Sequence, residues 1–195
     1  MHKMKGAFDI FDEMDNNLTY HSHSNQLLKD ILIMSQNSEN ITHSLSDLDR
    51  RILTLLQRDG RISNQELSER AGTSTASCWR RVKALEQSGI IDSYTTLLNR
   101  ENLGLGLCVF VHITLSRHNK ENTKAFEKSI QNRQEVMECF ATTGDADFIL
   151  RVVTKSIASF DQFLEDFLFE LPEISQIRSN IALRELKFDI ALPLD

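Results

Sequence analysis

A chain of 195 residues with 41% hydrophobic content is long enough for two small domains with real cores. Its 28 acidic residues outnumber 22 basic ones, so contact with a polyanion would have to be made by a local concentration of positive charge. Cys78, Cys108 and Cys139 are an odd count without C-x-x-C spacing, which excludes a disulfide framework and predicts free, buried thiols in a reducing, cytoplasmic protein.

Residues 1–44 are rich in Asn, Ser, His and acidic groups, and predict a mobile polar extension with one short helix at Asn25–Met34. The apolar run Leu27-Leu28 and Ile31–Met34 is interrupted by Lys29 and Asp30. It is too short to span a membrane and lacks the form of a signal peptide. His21 and His23 read as a solvated pair and not as a metal site. A translation start at Met34 would leave only a short leader ahead of the first helix.

From Leu45 the pattern changes. Ser46-Asp47-Leu48-Asp49 has the S-x-x-D form of a helix start, and Leu48, Ile52, Leu55 and Leu56 recur at helical spacing up to Gly60. Ser63 and Glu66 form a second S-x-x-E start, with Leu67 and Ala71 as the apolar stripe and Gly72 as the left-handed stop. Ser74 or Thr75 caps a third helix, in which Cys78, Val82 and Leu85 lie on one face. Trp79 is expected at the edge of the core. Gly89 ends that helix, and Ile90, Ile91, Tyr94 and Leu97 read as a short extended wing.

The third helix carries Arg80, Arg81 and Lys83, and no acidic residue occurs between Glu69 and Glu86. Residues 45–92 hold eight basic and seven acidic groups, against ten and fourteen in residues 104–195. Three helices with a wing over residues 45–97 make a helix-turn-helix domain whose partner is double-stranded DNA. Ser74, Thr75, Ser77, Arg80, Arg81 and Lys83 are the candidate contacts, since hydroxyls and arginines reach both phosphates and base edges. An ordinary solvated basic face is the plainer reading of the same residues.

Residues 98–106 read as a linker. Leu107 to Leu115 then alternates as a strand with both faces fairly apolar. A helix around Glu121–Gln131 follows, then strands over Val136–Thr142 and Phe148–Val153 joined by a tight turn at Gly144-Asp145-Ala146. A helix over Ile157–Leu171, with Ile157, Phe160, Leu164, Phe167, Leu168 and Leu171 on one face, stops at Pro172. A long last strand is expected over Ile174–Phe188. The order βαββαβ is ferredoxin-like, so the fold class is α+β: a winged helix-turn-helix followed by a ferredoxin-like domain over residues 107–195. An apolar open sheet face must be covered, which predicts a homodimer formed sheet against sheet.

The segments LDRRIL, DGRIS, NQELSERAG, SCWRRVKALE and the G-I-I wing, with CVFVHITL, TTGDADFILRV and RELK beyond them, resemble the Lrp/AsnC (feast/famine) transcription regulators. The resemblance runs from about Leu45 to the C-terminus. Members often carry proline at the positions of Thr75 and Ser77, so S-T-A-S here implies a less rigid helix entry. It implies DNA-binding regulation, a dimer that assembles further (often to an octamer), and a small effector, an amino acid bound between subunits near Thr142–Asp147.

That location has a physical case. Amide groups at the Gly144 turn and the hydroxyls of Thr142 and Thr143 can hold a carboxylate, while Asp147, with Asp145 beside it, can pair with an ammonium. The alternative is that Gly144 only makes the hairpin and both aspartates form the turn. Phe140, Ile157 and Ile181 are expected to shape the side-chain pocket. Asp145 and Asp147 lack any accompanying nucleophile–base pattern, and phosphate-loop, dinucleotide and H-E-x-x-H motifs are missing, so no catalytic residues, cofactor or metal are expected. The competing functional reading is an amino-acid-binding dimer that acts on a protein partner through its basic helix.

Overall fold

The computed structural model describes residues 45–116 and 120–194; the expectations for residues 1–44 lie outside them. Three helices come first: α1 (Asp47–Arg58), α2 (Asn64–Ala71) and α3 (Thr75–Gln87). Their ends follow local chemistry. Ser46 accepts from the Asp49 amide while the Asp49 carboxylate accepts from the Ser46 amide, a complete capping box. At α2 only half of the expected box forms, with Ser63 accepting from the Glu66 amide. Ser74 accepts from the Ser77 amide and so opens α3 at Thr75. Gly72 sits at φ 72°, the left-handed conformation that closes α2 and turns the chain into α3.

Ile52, Leu53, Leu67, Ala71, Cys78 and Leu85 form the core of this unit, with Leu48, Leu56, Val82 and Ile91 packed around them. Burial raises the Cys78 thiol pKa, which leaves it the inert packing group expected of it. One expectation fails here. Trp79 is 55% exposed, because its position on α3 points away from the core. Residues 92–99 run as an extended segment, as read for the wing, and among the described residues they pair with no other strand.

The second unit contains β1 (Leu107–Leu115), α4 (Lys120–Ile130), β2 (Val136–Ala141), β3 (Phe148–Thr154), α5 (Ile157–Phe163) and β4 (Ile174–Ile181). The sheet is antiparallel in the order β2-β3-β1-β4, the ferredoxin-like arrangement. Strand alternation sends Val109, Val111, Ile113, Leu150 and Val152 inward against Phe126, Ile130, Phe160, Phe163, Phe167 and Leu168. The other face carries Phe110, His112, Thr114, Ile149, Arg151, Arg178 and Asn180. That face is more polar than the alternation of β1 alone suggests.

Helix α5 is shorter than expected. It passes at Leu164–Leu168 into a π-helical turn, in which the Phe169 amide donates to the Leu164 carbonyl. The extra residue in the turn keeps Phe160, Phe163 and Phe167 on the core side, and the Arg133 guanidinium lies 3.9 Å from the Phe167 ring centre. Ile157, at the start of the helix, is left exposed. Cys139 is exposed as well, because β2 is the edge strand.

Strand β4 stops at Ile181, not Phe188. Its partner β1 begins at Leu107, so pairing ends with Ala182 donating to the Cys108 carbonyl. The tail beyond returns to α1. Gln57 exchanges two hydrogen bonds with the Leu192 backbone, Arg50 donates to the Leu194 carbonyl at 2.6 Å, and Leu194 packs on the helical core.

Ser46→Ala should lower stability by about 1 kcal/mol, the usual worth of a helix cap. Urea denaturation of the full chain measures it; an unchanged midpoint would remove the capping box from the stabilising contacts.

Candidate functional site

Helix α3 divides its side chains sharply. Cys78 and Leu85 are buried, and Val82 is packed against the core. Ser74, Thr75, Ala76, Trp79, Arg80, Lys83 and Ala84 are exposed, and Ser77 is half-buried. Five of the six sequence candidates therefore lie on or beside one accessible surface. Ser74 spends its hydroxyl on the cap, Thr75 lies 3.3 Å from the Ser68 hydroxyl, and Lys83 pairs with Glu86 at 2.6 Å. Arg80 makes no hydrogen bond or ion pair among the described residues. Ala76 and Trp79 share this surface and were missed, since only charge and hydroxyl content marked the sequence candidates.

Arg81 is placed differently. Its Nη1 donates to both Asp49 carboxylate oxygens at 3.0 Å and to the Ser46 hydroxyl at 3.1 Å. The recognition-helix arginine thus closes onto the capping box of α1. Burial raises the Asp49 pKa, but hydrogen bonds from Ser46 and Arg81 together outweigh it and hold the carboxyl below its ordinary value.

The second candidate site surrounds the turn after β2. Thr142 donates from its amide to the Asp147 carbonyl and from its hydroxyl to the Ala146 carbonyl, which fixes the loop ends. Asp147 is turned inward: its amide bonds the Ile113 carbonyl, and its carboxylate accepts from the Leu115 amide at 2.7 Å. That contact falls where the β1–β4 register shifts at Thr114/Leu115, so Asp147 satisfies an amide that the irregular ladder leaves free.

A cavity of about 490 Å³ opens beside this loop, walled by Thr142, Thr143, Gly144, Asp145 and Ala146 on one side and by His112, Ile149, Arg178 and Asn180 of the sheet on the other. Four of the five sequence candidates line it; Asp147 does not, and neither do Phe140, Ile157 and Ile181. His112, Arg178 and Asn180 were missed because register, and not sequence proximity, brings them together: His112 stands opposite Arg178 across β1 and β4. Arg151 on the same face is neutralised by a two-point pair with Glu138 at 2.9 and 3.0 Å. Arg178 has no such partner among the described residues. No group of metal-ligating side chains occurs among the described residues, and no described helix is long and apolar enough to cross a membrane.

Both units match known proteins. Residues 45–92 match the winged helix-turn-helix DNA-binding model, and residues 108–192 match the Lrp/AsnC ligand binding domain model. The leucine-responsive regulatory protein of Escherichia coli K12 is 39% identical over 143 residues, which covers 73% of this chain and 87% of that protein. This chain belongs to the Lrp/AsnC family. A transcriptional regulator from Neisseria meningitidis, solved as an L-methionine complex, superposes at a TM-score of 0.75 with 36% identity, covering 78% of this chain and 98% of its own. An AsnC family regulator from Agrobacterium tumefaciens gives 0.73 with 34% identity over 76% of this chain and 97% of its own. The Lrp/AsnC chain is accordingly a DNA-binding transcription regulator with a ligand-binding domain, from a family of regulators and not of enzymes. This supports the reading of α3 as a DNA-binding helix over a protein-docking one.

The Asp49–Arg81 pair gives a signed pH dependence. A depressed carboxylate pKa stabilises the fold above the unfolded value of about 4 and loses that contribution as pH falls through the folded value. Arg81→Gln should flatten this acid limb and cost less than about 1 kcal/mol at neutral pH, since the guanidinium is 42% exposed. Chemical denaturation between pH 2 and 7 checks it; identical limbs in both proteins would contradict the pair.

Proposed function

We propose that the chain works in the cytoplasm as a dimer that sets two copies of α3 into successive major grooves of an operator, and that an amino acid bound at the loop cavity modulates this binding or the assembly of dimers. The observation that carries the reading is the capped α3 surface, with no acidic residue in its first turn and an Arg80 that makes no ion pair among the described residues, on the same chain as a cavity with both anionic and cationic walls. Thr75, Ser77, Arg80 and Lys83 make the direct contacts. Ser74 presents the helix end, and Arg81 fixes the tilt of α3 on α1 and reaches phosphate only by leaving Asp49.

A second copy of the chain is the fitting partner for the surface left open. Tyr94, Leu97 and Leu98 lie on an extended segment without strand pairing in the described chain, and Leu183, Leu186 and Phe188 lie on another. Phe110 and Phe140 add exposed apolar area on the open sheet face. Unpaired backbone with alternating apolar side chains is completed by pairing with another strand. Dimers joining into larger particles, an octamer being the expected size, would then bridge or wrap DNA.

At the cavity, the relative from Neisseria meningitidis with its L-methionine supports an amino acid as the effector class. Thr142, Thr143 and the Gly144 turn supply donors, and Asp145, which lines the cavity, meets the ammonium in place of the Asp147 expected from the family resemblance. Binding acts on DNA affinity only through its difference between the two states, typically about 1–3 kcal/mol.

If each dimer neutralises roughly six phosphates, the logarithm of operator affinity should fall with the logarithm of salt at a slope of about −5. Arg80→Ala should weaken binding several-fold and make the slope shallower, as read by gel retardation across a salt series. Binding that ignores both salt and operator sequence would sink the DNA role of α3. Asp145→Ala should remove the effector response, whereas a normal response would return the ammonium contact to another group.

A further inference from the structure

The walls of the loop cavity contain more hydrogen-bond donors than a monocarboxylic amino acid can use. On the sheet side stand the Arg178 guanidinium, the Asn180 carboxamide and the His112 imidazole; on the loop side stand Thr142, Thr143 and the Gly144 turn. Among the described residues, Asp145 is the one carboxylate in the wall, and Ile149 and Ala146 are its apolar side chains. A ligand that fits this inventory carries one cationic and two anionic groups. A leucine- or methionine-like side chain reaching the sheet side would leave the Arg178 guanidinium unmatched, whereas a carboxylate there would pair with it.

We propose that the cavity selects an amino acid with a side-chain carboxylate, and that Arg178 is the residue that holds that carboxylate. This rests on the amino-acid effector reading above and narrows its chemical class. The ammonium meets Asp145, the main-chain carboxylate meets the Gly144 turn and Thr143, and the side-chain carboxylate crosses to the sheet. There Arg178 offers a planar two-point contact with His112 opposite it in register and Asn180 two residues further along the same strand. Arg151 cannot substitute, being already paired with Glu138. Specificity arises by the same means: a site built around a set of directed donors disfavours ligands that leave those donors unmatched.

The test uses the full chain and isothermal titration with L-aspartate, L-glutamate, L-asparagine, L-glutamine, L-leucine and L-methionine. L-Aspartate or L-glutamate should bind at least about tenfold more tightly than L-leucine and L-methionine. Arg178→Gln should reduce that binding at least about tenfold, and Arg178→Lys should retain part of it. Arg178 is exposed and makes no ion pair among the described residues, so both variants should keep the wild-type melting temperature without ligand, which separates lost binding from lost fold. Tighter binding of leucine or methionine, undiminished in Arg178→Gln, would overturn the proposed class and leave the amino-acid reading standing. Equal binding of amides and acids would overturn the requirement for a carboxylate. Absence of binding by all six would overturn the amino-acid reading itself.

Discussion

Burial on one face only of the four-stranded sheet is the constraint on which the ligand-binding half depends. Side chains alternate along a strand, so committing Val109, Val111 and Ile113 to the helices forces Phe110, His112 and Thr114 onto the opposite face. The same rule places Ile149 and Arg151 from β3, and Arg178 and Asn180 from β4, beside them. A slip of one residue in either ladder would exchange the aliphatic core for arginine and histidine. The packing of Phe126, Phe160, Phe163 and Phe167 therefore fixes the cavity wall indirectly, by fixing the register of strands whose other face forms it.

In the DNA-binding half a small polar node has the comparable role. Ser46, Asp49 and Arg81 lie within 3.2 Å of one another and link the start of α1 to the middle of α3. Arg81 is 42% exposed and Asp49 14%, so the pair is screened more on the arginine side than on the carboxylate side. Its worth in free energy is modest. Its geometric effect is larger, because it sets the rotation of α3 and so decides that Arg80 and Lys83, one and two positions away, point outward.

What could be read from the sequence divides by range of interaction. Caps at Ser46 and Ser74, the left-handed stop at Gly72 and the order of strands and helices follow from neighbours within a few residues, and these were legible. Misreadings arose where a partner lies far along the chain. Arg81 looked like a free cation because Asp49 is 32 residues away, and Asp147 looked available because the Leu115 amide is equally distant. His112 and Arg178 carry no shared motif; only the β1–β4 register joins them. The overlong β4 has the same origin, since composition favours a strand beyond Ile181 while the length of β1 determines where pairing ends.

The tail that outruns β4 has a mechanical consequence. A chain crossing once between two units transmits force only through its linker, here the turn at residues 100–104 pinned by Arg100 to the Leu105 and Gly106 carbonyls. The tail provides a return path from β4, the strand that carries Arg178 and Asn180, to Gln57 and Arg50 on α1. Three polar contacts and one packed leucine are few enough to exchange between arrangements, yet they bear on the same helix that holds Arg81 through Asp49. Were a ligand at the proposed cavity to shift β4, the shift would have a bonded route to the orientation of α3. Because these contacts are individually weak, the shift in DNA affinity carried by that route is bounded by their difference between bound and free states and not by the strength of ligand binding.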